Sequence, residues 1–415
     1  MNTHLRIIFT VGIALAFLGI SGCTTVSNPV EDAQSNPDGA PSGQTPNPPS
    51  QPKAAAAAPQ RSPAKPVVPP QKHNRTNPVF SPDQIKTVFI IALENHDWTQ
   101  RIPDANPQQL FGNPAAPYVN SLVTRGHTNA EQVSFATKYY SVAHGAHPSE
   151  YNYIWAEAGT TFGIHTDSDP KPSARNIFTC QHLTGQMNAA GITWKTYQED
   201  LEYTTNAMVS KGGAHGATNV YNGTTYYSYA VKHNPMQFFT DTQNTNCFTL
   251  TQLWTDLAAN TVARYNWVTP DEFNEMHSRL PTGYVYHGHL FTGNQAAIAQ
   301  VDHCLSLIIP RIMASTAYRD HGVIFIWTDE TVSTDDTHTT LPFILISPLA
   351  KGNAYASHVV YTHSSTLKMM DEIFGLAYQT NAIPLTDTNA FGTGYNRVAT
   401  ANDLSDLFKN AKVKH

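Results

Sequence analysis

An α/β fold, a three-layer α/β/α sandwich on a largely parallel central sheet, follows from three features of the chain. Unbroken apolar runs such as Thr87–Leu93 have the pattern of strands buried on both faces. Amphipathic helical stretches alternate with those runs, as the layered architecture requires. The runs also stop on acidic or amide residues, and the carboxyl ends of parallel strands are where open α/β sheets bind ligands.

Each element has its own signal. The run Thr87–Leu93 ends on Glu94-Asn95-His96-Asp97, residues 323–327 end on Thr328-Asp329-Glu330, and Tyr265–Thr269 ends on Pro270-Asp271-Glu272. Three strands delivering carboxylates at their exits predict one shared polar site, and such groups are candidate hard-metal ligands. Phe343–Ile346 and residues 192–197 add two more strands. Ile298, Val301, Leu305, Ile308 and Ile312 repeat at helical steps, with Pro310 expected to kink or break the helix. Residues 364–374 read as a helix closed by Gly375. The Tyr- and Asn-rich segment 202–229 reads as an excursion over the surface.

The organisation is an address, a tether, a domain and a tail. Arg6, the apolar run 7–20 and Ile20-Ser21-Gly22-Cys23 resemble a bacterial lipoprotein signal, with Cys23 the acylated residue of an exported, envelope-anchored chain. Thr24 after that Cys favours the outer membrane where a cell has two. Residues 24–81 are rich in Pro and Ala, too polar to order themselves, and span about 40 Å as a coil. The folded domain is expected over residues 82–400, with 401–415 a tail. Net charge is −6 and there is no long basic run, which argues against nucleic acid as a partner. Cys180, Cys247 and Cys304 allow at most one internal disulfide and leave the pairing open.

The chemistry gathers around Ala146-His147-Pro148-Ser149-Glu150-Tyr151-Asn152. A hydroxyl, a nearby histidine and an amide suit nucleophilic attack on a phosphate ester. The marks of acyl hydrolases, P-loop enzymes and thermolysin-like proteases, GxSxG, the P-loop and HExxH, are absent.

LENHDW, HPSEYNY, KHNPMQFF, VTPDEFNEMH, FIWTDE and YTHSSTLKMMDEIFGL occur in that order. Together they resemble the phosphoesterase family of acid phosphatases and nonspecific phospholipases C, within the alkaline phosphatase superfamily, over residues 85–376. The resemblance implies an alkaline-phosphatase-like sandwich holding one divalent metal ion. It implies Glu94, Asn95, Ser149, Asp329 and Glu330 as metal ligands, Ser149 as nucleophile, and Asn152 as the amide on a phosphoryl oxygen. His277 or His338 is the implied proton donor, and His233, Asn234 and His363 are implied substrate contacts.

Two departures stand out: Tyr151 replaces the family's usual Pro, and Glu275 falls in a loop where the family favours a different Asn/Asp/His pattern. The implied activity is metal-dependent hydrolysis of phosphate monoesters, small or on a lipid headgroup, through a phosphoserine. The alternatives are a phospholipase C or other phosphodiesterase, and a non-catalytic surface-binding lipoprotein.

Overall fold

The computed structural model describes residues 24–25, 79–142, 147–332, 336–383 and 397–411. An eight-stranded sheet forms the middle layer. Its strands in chain order are β1 (Thr87–Leu93), β2 (Val133–Ala136), β3 (Trp194–Gln198), β4 (Cys247–Thr249), β5 (Tyr265–Thr269), β6 (Gly322–Thr328), β7 (Phe343–Ile346) and β8 (Tyr355–Ser357). They lie side by side as β8-β2-β7-β6-β1-β5-β3-β4. Only β7 runs against the others, so the sheet is largely parallel.

Side chains of β1 alternate between two apolar layers. Phe89, Ile91 and Leu93 pack on one face under α1 (Pro117–Leu122), α4 (Leu250–Ala259) and α5 (Asn294–Met313). Val88, Ile90 and Ala92 face the other side, covered by α2 (Glu150–Ala158), α3 (Leu183–Ala189) and α6 (His363–Phe374). Each fully buried Ile or Phe contributes about 1.5–3 kcal/mol, and both faces of β1 are filled this way. The central position of β1, between β6 and β5, puts Glu94 at the middle of the sheet's carboxyl edge.

Several expectations are revised. Pro310 neither breaks nor ends α5, which continues to Met313. Three residues remain after it, so its missing N–H removes a single late helical hydrogen bond. Residues 401–408, expected in a tail, are part of the core: Leu404, Leu407 and Phe408 are buried, and Phe408 stacks on Phe80 at 4.2 Å. Thr24 and Thr25, read as the start of the tether, lie antiparallel to Phe178–Thr179. Cys23, the signal segment and the tether up to residue 78 otherwise lie outside the described residues. Gly375 closes α6 at φ 67°, a left-handed conformation that glycine adopts without strain. Within the 202–229 excursion, Lys211–Ala214 and Tyr226–Tyr229 pair as a small hairpin.

An ion cluster, buried at His182 and Glu157 and open at Asp241, joins α2 to α3. His182 is sandwiched between Glu157 (Nδ1 to Oε2, 2.8 Å) and Asp241 (Nε2 to Oδ1, 2.8 Å). Burial alone lowers the affinity of this imidazole for a proton, but the two carboxylates outweigh it and raise the pKa to about 9. The folded value lies above the usual 6.5, so the clamp contributes fully below pH 6.5 and is lost as pH rises through about 9. That contribution is about 3 kcal/mol. Urea midpoints measured across this window should fall for the wild type and much less for His182→Asn; equal slopes would show that the clamp is not the titrating element.

Candidate active site

The site is built where β1 and β6 end side by side. Leu93 pairs with Thr328 across the parallel ladder, so Glu94 and Asp329 emerge as neighbours. Helix α2 brings the hydroxyl to them. Ser149 sits at its N-cap position in helical conformation, and its carbonyl accepts from the Asn152 N–H at 3.0 Å. Tyr151 leaves this turn intact: its ring lies edge-on to His165 at 4.7 Å while the helix runs on beneath it.

The Ser149 hydroxyl, nearly buried, donates to Glu94 Oε2 at 2.9 Å and lies 3.5 Å from Glu330 Oε1. Three residues on, the Asn152 amide donates to Glu330 Oε2 at 3.3 Å, so one helical turn aims both groups at one pocket. Asn95 also bonds the Glu330 carboxylate. Glu94, Asn95, Ser149, Asn152, Asp329 and Glu330 are therefore gathered in one place.

Electrostatics there is unbalanced toward negative charge. Asp329 is fully buried, and neither carboxylate oxygen receives a well-aligned hydrogen bond. Burial, then Glu94 and Glu330, push its pKa well above the carboxylate range, and burial also raises Glu330. The nearby basic groups are His147, whose Nδ1 is 3.1 Å from Glu330 Oε2, and His233. Buried carboxylates without donors are costly unless a cation joins them. Oxygen donors in this number suit a hard divalent ion, so the residues present fit the metal that the family resemblance implies.

His233 lies inside the site. Its Nε2 is 3.1 Å from Glu94 Oε1 and its Nδ1 is 2.8 Å from Glu275 Oε1. Burial opposes its charge, but Glu275 and Glu94 prevail and hold it up at about 9. Glu275 is itself raised to about 8, by burial first and by Glu94 and Glu272 after that. The loop departure at Glu275 thus provides a buried partner for His233. Tyr153 stacks on that imidazole at 5.0 Å, and Trp267 and Trp327 complete an aromatic floor.

The other histidines divide. His277 is exposed at the rim, its ring 6.1 Å from that of His233. His338 is exposed too; its backbone is tied to Asp336 and Thr99. His363 and Asn234 are corrected from substrate contacts to internal supports. His363 is buried under the site, with Nε2 bonded to the Asp329 carbonyl and Nδ1 accepting from Trp327 Nε1 at 3.0 Å. Burial lowers its pKa to about 3, so it is a neutral brace for the Asp329-Glu330 turn. The Asn234 amide turns away to Cys247 Sγ at 3.2 Å.

The third acidic exit also goes elsewhere. Asp271 joins Glu199 and Asp200 in a separate buried cluster, in which the Glu199 carboxylate is held by Asn219, Asn274 and the Asp271 N–H. Sequence reading left Glu150 unremarked, although it follows Ser149 directly. Its carboxylate is buried, accepting from Thr166, the Ser168 N–H and Asn176. Asn176 in turn holds the Asp169 carbonyl, and Asp169 takes two bonds from Ser210 in the excursion. A charged residue at the first position of a helix that is buried nearly all round was the available signal.

A buried hydroxyl among carboxylates that fit a divalent ion, at the carboxyl edge of an α/β/α sheet, is the equipment a hydrolase of phosphoric esters needs. The chain belongs to the Phosphoesterase family, whose model matches residues 118–377. The match begins after Glu94 and Asn95.

Among characterised relatives, the phosphatidylinositol-3-phosphatase of Mycobacterium tuberculosis is 25% identical over 67% of this chain and 77% of its own length. The acid phosphatase of Aspergillus fumigatus is 30% identical over 46% of this chain and 36% of its own. The chain thus spans about a third of the length of that fungal relative. Solved structures to which it is similar include the lipoteichoic acid synthase LtaP from Listeria monocytogenes, with a TM-score of 0.46, 12% identity and 78% of each chain covered. Another is a protein of the alkaline phosphatase superfamily from Vibrio parahaemolyticus, with a TM-score of 0.43, 9% identity and coverage of 72% of this chain and 70% of that one.

The unbalanced charge has a direct thermal consequence. A divalent cation at about a hundredfold excess over its Kd should stabilise the wild type by about 2.7 kcal/mol. In Asp329→Asn the cation-free protein should melt higher than cation-free wild type, because a buried carboxylate is gone, and added cation should shift it little. Equal cation-induced shifts in the two proteins would remove Asp329 from the ligand set.

Proposed function

We propose that this hydrolase is a metal-dependent phosphomonoesterase of the acid phosphatase type, acting through a phosphoserine on Ser149. The observation that carries the proposal is the convergence of Glu94, Asp329 and Glu330 on the buried Ser149 hydroxyl. Relatives that bear the names of phosphatases support monoesters over diesters.

A divalent ion held by Glu94, Asn95, Asp329 and Glu330 would favour the Ser149 alkoxide and neutralise charge on the phosphoryl oxygens. The chain's own groups perform the rest. Glu94 Oε2 receives the Ser149 hydroxyl hydrogen, and Oγ bonds to phosphorus as the bond to the leaving alcohol breaks. The Asn152 amide holds a phosphoryl oxygen as its charge rises, an effect worth about 3 kcal/mol in comparable sites. His277, at the rim, gives a proton to the departing alkoxide. Water then attacks the phosphoserine, releasing inorganic phosphate and restoring the hydroxyl. His233 stays clamped between Glu94 and Glu275 and fixes the orientation of Glu94.

Initial rates on aryl monophosphates and bis-aryl phosphates, with and without chelator, test this reading. The monoester should be the faster substrate and chelation should abolish its turnover. His277→Gln should slow alkyl phosphates about a hundredfold while sparing aryl phosphates, whose leaving groups need no proton. Faster turnover of the diester, or full activity after chelation, would overturn the proposal.

A further inference from the structure

We propose that the hairpin of Tyr284–Tyr286 and His289–Phe291 is a docking surface for an anionic phospholipid bilayer. It would seat the pocket on the membrane so that a phosphate carried on a lipid headgroup reaches Ser149. This rests on the phosphomonoesterase reading of the pocket and adds to it where the substrate resides.

Strand alternation splits the hairpin into two faces. Tyr284, Tyr286 and Phe291 point inward and are buried. The Tyr284 hydroxyl is fixed on the Tyr221 carbonyl at 2.9 Å, and Tyr286 packs 5.1 Å from His303. Val285 and Leu290 point outward as cross-strand partners, and they are 66% and 54% exposed. Single exposed aliphatics are ordinary, but two paired on the outer face of one hairpin form a small apolar patch.

The position ties this patch to the pocket. One foot of the hairpin follows His277, whose ring is 6.1 Å from that of His233. The other leads into Asn294, whose side chain lies 2.7 Å from His96 Nε2, just after Glu94 and Asn95. Neighbouring connections add to the apolar rim. Val220, beside Tyr221, is 69% exposed, and Ile102 is 63% exposed in the loop whose Gln108 N–H bonds Asn294.

Charge selects the partner. The chain carries a net charge of −6, yet residues 276–301 contain no Asp or Glu. The same stretch exposes His277, Arg279, His287 and His289. Apolar side chains beside one guanidinium and three imidazoles, with Asp104 the exposed acid of the Ile102 loop, suit the interface of an anionic leaflet. A second copy of the chain fits less well: the basic stretches would face each other, and the paired patches are far smaller than a stable interface.

The test uses the full-length chain and its V285D/L290D variant. Both carry the same residues 1–78, whose contribution enters both partition coefficients equally, so recovery is read over a lipid titration as the ratio of the two coefficients. Flotation with vesicles of phosphatidylcholine plus phosphatidylserine should recover the wild type, and the variant about tenfold less. The two proteins should hydrolyse a soluble aryl monophosphate with the same kcat/KM, which also reports an intact fold. Arg279→Glu should lower recovery on the mixed vesicles and leave recovery on phosphatidylcholine alone unchanged. Equal recovery of wild type and V285D/L290D, or no recovery of either, overturns the docking surface. So does a dimer in sedimentation velocity that the variant abolishes without a change in flotation. The two levels fail separately because flotation is read without turnover: inactivity of the wild type on aryl phosphates sinks the pocket reading, and equal flotation sinks the docking surface.

Discussion

The burial of Glu94 beside Asp329 and Glu330 is the constraint around which the site is arranged. Parallel pairing of β1 with β6 forces these carboxylates together, since the ladder runs in register up to Leu93 and Thr328. Like charges so placed repel in a medium of low dielectric, and burial removes the water that would screen them. The surroundings answer that cost. His233 takes a position between Glu94 and Glu275, the Ser149 hydroxyl donates to Glu94, and the Asn152 amide donates to Glu330. The charge left over is what a divalent ion would neutralise, so the feature that weakens the bare site also prepares it for catalysis.

Supports beneath and beside the pocket hold these groups. His363, kept neutral by burial, braces the turn that carries Asp329 and Glu330. The Trp327 indole hydrogen fixes which ring nitrogen carries the proton, leaving Nε2 to donate. On the other side, Glu150 anchors the start of α2 to Asn176, and through Asp169 and Ser210 to the excursion after β3. The Ser210 hydroxyl accepts from the Val231 N–H, two residues before His233. The segments carrying Ser149 and His233 are thus linked by a chain of hydrogen bonds running outside the pocket.

Much of this was legible in the sequence, and the reasons differ by element. Strands such as Thr87–Leu93 were plain because a central strand buried on both faces must be apolar throughout. Glu94, Asp329 and Ser149 were legible because parallel strands share a functional edge and the family motifs fall on them. Asp271 misled: its strand exits on the same edge, but the left-handed conformation of Asp200 (φ 63°) and the Asn274 amide belong to a different cluster. Asn234 and His363 were read as substrate contacts because sequence position says little about the direction of a side chain, and both turn inward. Periodicity found α5, whereas the tolerance of Pro310 depends on its distance from the helix end.

Phosphoryl transfer to Ser149 is the central claim, and trapping the intermediate tests it most directly. The enzyme is mixed with an aryl monophosphate, quenched in denaturant at neutral pH during the first turnovers so that phosphoserine and phosphohistidine both survive, digested and mapped by mass spectrometry. Phosphate on the peptide containing Ser149, and none in Ser149→Ala, is the predicted result. Phosphate on His233 or His277, or turnover by Ser149→Ala at the wild-type rate, would contradict it.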